Sequence, residues 1–337
     1  MSEKGSERIL LAHGGGGILM KELVDRIVGK LGGGRGALQD SVTLPVEGGR
    51  IAFTTDSYVV SPLFFPGGDI GRLAVCGTVN DLAMSGARPV WLSLSFIIEE
   101  GLPLETLERI LDSIAAAARE ARVTIVTGDT KVVERGKADG IFINTSGIGV
   151  VPPGVEVSSA LARAGDVVLV NGTIGDHGLA IMSRREGIDF GSDLKSDTAP
   201  LSNLTEPLLA GVKSVRAMRD ATRGGLAAVL NEIATDSKVC IRLEESAIPI
   251  SEAVSKGCEL MGYDPLHIAN EGKFVAVVAK EDAEKALAIM KAHPLGAGAA
   301  RIGEVAREPR GLVILKTVFG GERVVDLPYG DVLPRIC

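Results

Sequence analysis

The chain has 337 residues, a formal net charge of −7 at pH 7, and 45% hydrophobic against 23% charged residues. That length allows two domains of ordinary size with filled cores, and the mixture is that of a globular protein. The negative balance argues against broad nucleic-acid binding, which needs a basic footprint. It leaves phosphate ligands open, because acidic sites reach phosphates through Mg2+. No apolar run is long enough to cross a bilayer.

The opening stretch, MSEKGSERILLAHGGGG, has neither a long apolar signal core nor a small-residue cleavage site, which predicts a cytoplasmic protein. Residues 1–38 read as a glycine-rich arm with one short helix, KELVDRIVGKL. An α/β domain is expected over 39–152. Its strands are IAFTTD (51–56), WLSLSFII (91–98), VTIVTGD (123–129) and IFINTSGIGVV (141–151). GRLAVCGTVNDLAMSG (71–86) reads as a helix, and LETLERILDSIAAAAREA (104–121) as an amphipathic one, with apolar positions at helical spacing.

VPPGVEV (151–157) reads as a linker into a second α/β domain over 153–321. Strands are expected there at 167–172, 239–243, 273–279, 299–305 and 311–319, and helices at 177–186, 204–218, 224–236 and 281–292. A tail, 322–337, closes on PYGDVLPRIC. Extended from Pro328, that segment spans at most about 33–36 Å, enough to fold back onto the body or to reach a partner.

The four cysteines form no CxxC pair, which argues against a cysteine zinc site. Cys76, Cys240 and Cys258 read as small buried apolar residues, and a Cys240–Cys258 bridge stays open. Cys337 differs. A thiol on a tail is accessible and nucleophilic as thiolate. The neighbouring α-carboxylate raises its pKa, which suits a carrier of a group better than an attacking enzyme nucleophile. Prenylation does not fit, since its motif needs the cysteine four places from the end.

Ordinary catalytic sets are missing: there is no HExxH, nucleophile elbow, Walker loop or well-placed GxGxxG. Instead acidic residues stand at strand ends and helix starts: Asp40, Asp56, Asp81, Asp129, Asp220 and Glu271. Asp56 and Asp129 each follow an apolar strand, a usual ligand position in α/β folds. Carboxylates there can hold Mg2+ and, through it, a triphosphate. Any one of them alone reads first as a turn former or helix cap; six together shift the balance to binding. In ATRGGL, Gly224 and Gly225 let a helix start approach a phosphate closely, with Arg223 adding charge; the alternative is a tight helix entry. AHGGGG reads as an anion-closing arm or a plain linker. Lys131 reads as a surface ion pair with Asp129, or as an acid–base or phosphate contact.

Together the strings AHGGGG, FTTDSYVVSPLFFPGGDIG, GTVNDLAMSGARP, VTGDTKVV, GTIGDHG, DATRGGL, IANEG and the final PRIC resemble the HypE family of hydrogenase maturation factors, which are carbamoyl dehydratases. PRIC is the most specific of them. The middle strings are shared more widely, by ATP-using enzymes related to aminoimidazole ribonucleotide synthetase and selenophosphate synthetase. The resemblance implies two α/β domains of that type. It also implies N-terminal domains paired across a twofold axis into a β-barrel, hence a homodimer, and a flexible C-terminal tail. It implies ATP and Mg2+, held by Asp40, Asp56, Asp81 and Asp129. Asn144 and Thr145 would line the nucleotide pocket, Gly224 and Gly225 would receive phosphate, and Glu271 and Lys131 would handle protons.

Cys337 would receive a carbamoyl group delivered by HypF from carbamoyl phosphate. ATP-dependent dehydration would turn the S-carboxamide into an S-thiocyanate. The cyano group would pass to iron on a HypC–HypD complex during assembly of NiFe hydrogenase. The tail would then have two positions, inward at the γ-phosphate and outward at a partner, with Pro328 and Pro334 favouring extended geometry. Two rivals remain. A related small-molecule synthase, such as a selenophosphate synthetase, would work without Cys337, although no cysteine precedes Cys76 to supply that enzyme's reactive group. A thiol-carrying scaffold would show no cysteine-dependent ATP turnover.

Overall fold

A computed structural model describes residues 17–31, 40–188, 194–327, 333 and 335–337. The first half contains α1 (Ile18–Leu31), β1 (Val42–Val46), β2 (Gly49–Tyr58), β3 (Phe64–Phe65), β4 (Gly68–Asp69), α2 (Ile70–Met84), β5 (Arg88–Glu99), α3 (Leu104–Ala121), β6 (Thr124–Val133) and β7 (Ile141–Val151). Five strands form one sheet in the order β1-β2-β7-β5-β6. All pairs are antiparallel except β5–β6, which α3 connects as a crossover. In β7 every second side chain from Ile141 is buried, the period-two signature of a half-buried strand.

α2 begins where the Asp69 carboxylate accepts from the backbone N–H of Gly71 (2.7 Å) and Arg72 (3.2 Å). It is buried almost all round, because it packs on the sheet through β2 and β7 and also on the second half. The opposite face of the sheet leaves Val42, Leu44, Phe53, Trp91, Ile97 and Val150 exposed.

The second half contains β8 (Val167–Val170), α4 (Asp176–Glu186), α5 (Ser202–Gly211), β9 (Val215–Asp220), α6 (Gly225–Ser237), β10 (Cys240–Glu244), α7 (Glu252–Met261), β11 (Phe274–Val278), α8 (Ala283–Lys291), β12 (Ala300–Ala306), β13 (Leu312–Lys316) and β14 (Glu322–Val324). The sheet order is β14-β13-β10-β12-β8-β11-β9. β8 and β11 are buried along their whole length. Val168 and Val170 pack with Leu226, Leu230 and Ile233 of α6 on one face; Val167 and Leu169 pack with Leu204, Leu208 and Met290 on the other. Layers on both faces explain why VVLV shows no alternation.

The helix expected over 204–218 ends at Gly211, and Val215–Asp220 is a strand instead. VRAMRD gains its backbone partners from β11, a pairing across distant chain that local periodicity does not encode. The strand expected over 311–319 stops at Lys316, where a turn begins; β1, β3, β4, α7 and β14 lie outside the expected elements. Cys240 and Cys258 are separate buried thiols, so the possible bridge is not formed. Among the described residues no helix is long and apolar enough to cross a membrane.

The tail residues described return to the body. Leu333 and Ile336 are buried in the core cluster that contains Tyr58 and Val60. The Cys337 carbonyl accepts from the N–H of Val59 (3.0 Å), and the Arg335 carbonyl accepts from Ser61 (3.4 Å). Pro328, Pro334, Gly14–Gly16 of the AHGGGG string and Gly32–Gly34 lie outside the described residues.

Candidate active site

Both halves contribute the ends of their elements to one cavity of about 510 Å3. Asp56 comes from the end of β2, Asp81 from the last turn of α2, and Asp220 from the end of β9. Asp40 precedes β1, and Glu271 lies just before β11. Thr222 and Arg223 join them from the loop into α6, Met20 and Lys21 from α1, and Cys337 from the tail. The volume suits a nucleotide-sized ligand.

Asp40, Asp81 and Asp220 each place one carboxylate oxygen within 4.8 Å of the others. Burial pushes the Asp40 carboxyl up to about 7, although the Arg219 guanidinium, 3.0 Å away, pulls it down. Burial also holds Asp81 and Asp220 well above the usual carboxylate range, and the neighbouring carboxylates add to the effect. Asp220 Oδ2 is buried without a hydrogen-bond partner among the described residues. Three carboxylates removed from water, one with an oxygen that has no hydrogen-bond partner among the described residues, are a hard-oxygen donor set whose chemistry fits Mg2+.

The Glu271 carboxyl is also raised well above its usual range, first by burial and then by Asp220 and Asp197. Its Oε1 has no hydrogen-bond partner among the described residues. The backbone around it is pinned: Glu271 N–H donates to Asp197 Oδ1 (3.0 Å), and its carbonyl accepts from Asn80 Nδ2 (3.1 Å). Asp197 Oδ2 in turn takes a hydrogen bond from Lys273 Nζ at 3.0 Å. Arg223 is held charged above its ordinary pKa, with Cys337 the largest influence.

Of the four aspartates expected to hold Mg2+, Asp40 and Asp81 cluster, Asp56 lines the cavity beside them, and Asp129 stands apart. Asp129 is exposed on the edge strand β6, ion-paired with Lys131 at 2.6 Å. The third clustered carboxylate is Asp220, named among the strand-end acids but not assigned to metal. Its signal was the same as that of Asp56, a carboxylate closing a strand, hidden because that stretch reads as helix. Lys131 likewise is not among the residues that line the cavity; among the described residues β6 is an edge strand paired with β5.

Thr145 is fully buried, its hydroxyl bonded to the Ala74 carbonyl (3.1 Å), so it packs α2 onto the sheet rather than lining the cavity. Asn144 points to the opposite face, where its amide donates to Ser57 Oγ (3.0 Å) and to the Asp56 carbonyl (2.8 Å). Gly224 and Gly225 take φ of +77° and +60°. A Cβ on Gly225 would lie 2.6 Å from the carbonyl oxygens of Leu266 and Ile268. Close backbone packing therefore accounts for Gly225 without a phosphate. Gly225→Ala is expected to destabilise the fold by about 1–3 kcal/mol, measured by urea unfolding.

The AIR synthase related protein N-terminal domain matches residues 38–151, and its C-terminal counterpart matches 163–316. Carbamoyl dehydratase HypE of Rhizobium leguminosarum bv. viciae is 56% identical over 98% of this chain and 95% of its own length. The chain belongs to the HypE family of carbamoyl dehydratases. Solved HypE structures share its fold. A HypE–HypF complex superposes with a TM-score of 0.86 at 51% identity, covering 93% of this chain and 100% of the matched one. HypE in complex with ATP gives 0.84 at 46% identity, covering 96% and 98%. The HypE family therefore supplies the frame for the cavity, and the mixed α/β fold with two AIR synthase related domains agrees with the sequence expectation.

Proposed function

We propose that this chain uses ATP to dehydrate a carbamoyl group carried on Cys337, supplying the cyanide ligand for a NiFe hydrogenase. The observation that carries this reading is Cys337 on the wall of the same cavity as the Asp40–Asp81–Asp220 cluster and Glu271. ATP supplies the phosphoryl group that makes the amide oxygen a leaving group, and Mg2+ disperses charge on the phosphates. Asp40, Asp81 and Asp220 would hold the metal, with Asp56 beside them. The Cys337 sulfur carries the reacting carbon. Arg223 offsets negative charge next to that sulfur. Glu271, desolvated and with an Oε1 that has no hydrogen-bond partner among the described residues, takes a proton from the carbamoyl nitrogen. In balance, the amide oxygen takes the γ-phosphoryl group as ADP leaves, and the C–O bond then breaks with that oxygen leaving in phosphate. One N–H proton goes to Glu271 and the other leaves with the phosphate, and a C≡N bond forms on sulfur.

HypF is the carbamoyl donor in this reading, in keeping with the HypE–HypF complex of a relative. A HypC–HypD complex is the acceptor. The exposed apolar face of the first sheet supports pairing of two copies, since Phe53, Trp91, Ile97 and Val150 are too many large apolar groups for an unpartnered face. A polar strip on that face includes Asn144, Asp129 and Lys131, which in this reading reach a nucleotide only from the second copy. The domain divisions at 38/39, 152/153 and 321/322 follow the same reading. Asp56 and Asp81 also face a related kinase's needs, but Cys337 inside the cavity has no role there.

Intact mass after incubation with HypF, carbamoyl phosphate and ATP tests the proposal. The expected result is one carbamoyl addition, followed by ATP-dependent loss of one water, both absent in Cys337→Ala. ATP turnover indifferent to Cys337→Ala, with no adduct, would sink it.

A further inference from the structure

His177 lies at the start of α4, fully buried, and belongs to none of the groups assigned above. Its Nε2 is 2.9 Å from the Ile336 carbonyl, one residue before Cys337. Its Nδ1 is 2.8 Å from Ser196 Oγ. A carbonyl only accepts, so Nε2 bears the proton. Nδ1 of the neutral ring is then the acceptor, and the Ser196 hydroxyl donates to it. Burial lowers the imidazole pKa and keeps the ring neutral. Ser196 Oγ is fixed in turn by the Thr198 backbone N–H at 3.2 Å and the Thr198 hydroxyl at 2.6 Å. The edge of the Phe65 ring closes the other side.

We propose that His177 is a positioning residue of the tail: beside the backbone contacts of Val59 and Ser61, its Nε2–H holds the Ile336 carbonyl and so sets Cys337 in the cavity. The Ser196–Thr198 segment that fixes the tautomer also carries Asp197, which grips the Glu271 backbone. One short segment thereby places both the sulfur that carries the substrate and the base that acts on it. His177 touches no reacting atom. Its contribution is to the inward position, so its loss raises the outward population without removing Cys337, Glu271 or the carboxylate cluster. The inference rests on the carrier role of Cys337, but its test does not use the reaction.

The test is the rate of N-ethylmaleimide labelling of Cys337 in the full chain, read by peptide mass. Cys76, Cys240 and Cys258 are buried and serve as internal reporters of unfolding. His177→Leu removes the donor and is expected to speed Cys337 labelling about tenfold, the cost of one buried hydrogen bond. His177→Gln places an amide N–H near the lost Nε2–H and is expected to label near the wild-type rate. Three results overturn the proposal: an unchanged rate in His177→Leu, equal acceleration in both variants, or parallel acceleration of the buried cysteines. If carbamoylation fails while the labelling contrast holds, the carrier reading falls and the latch stands.

Discussion

Asp220→Asn will reduce ATP-dependent dehydration by on the order of 10³-fold and at the same time stabilise the metal-free protein. The two effects share one cause. Asp40, Asp81 and Asp220 are crowded out of water; Asp40 and Asp56 make both Asp81 and Asp220 harder to ionise, and Asp220 does the same to Asp81. Removing one charge relieves Asp81, which Asp220 raises directly. It also removes a ligand from the metal. Asparagine keeps the shape of the side chain, so packing is conserved.

The sign of the pH dependence follows from linkage. Asp40 titrates at about 7 in the folded chain against an ordinary 3.8. Between those values the folded chain binds more protons than the unfolded one, so stability falls as pH rises. With Asp81 and Asp220 shifted the same way, the metal-free protein is expected to melt higher at pH 5 than at pH 8. Mg2+ should reverse the order at pH 8, because it binds the ionised cluster. Asp220→Asn should flatten the metal-free slope. Thermal melts from pH 5 to pH 8, in chelator and in Mg2+, check this. A metal-free Tm that rises with pH would show that the cluster is not a strained anionic site.

Glu271→Gln is the second large effect. Glutamine fills the same space and leaves the backbone contacts to Asp197 and Asn80 in place, but it cannot take a proton. The carbamoyl form of Cys337 should form normally and persist, with dehydration slowed by about 10²–10⁴-fold. ATP binding should remain, since the metal carboxylates are untouched. The distinguishing observation is accumulation of the carbamoyl adduct in single-turnover mass spectra with ATP present. Normal loss of water would move the base elsewhere.

Much of the first domain was legible locally. LETLERILDSIAAAAREA carries a helical period that local physics suffices to read, and the helix is Leu104–Ala121. Strands such as Ile141–Val151 alternate because one face alone is buried. Asp56 was readable as a carboxylate closing an apolar strand. By contrast VRAMRD has no clear period, and its strand exists because β11 offers a ladder partner. Asn144 and Thr145 are adjacent, yet the pleat sends one to the core and the other to the exposed face. No local pattern says which face meets the nucleotide.

The sequence by itself determined the alternation of strands and helices, the family, and the thiol at Cys337 with the acidic inventory around it. These rest on period, motif and composition, all properties of contiguous residues. Only the tertiary structure decided that Asp220 rather than Asp129 completes the carboxylate cluster. It alone showed that Gly225 is required by close backbone packing, and that Gly224 takes a left-handed backbone conformation. The docking of the tail also belongs to it, with Ile336 held by His177 and Cys337 brought to the cavity. Those facts depend on which distant residues share a small volume out of water, where desolvation and charge repulsion act between groups that the chain separates widely.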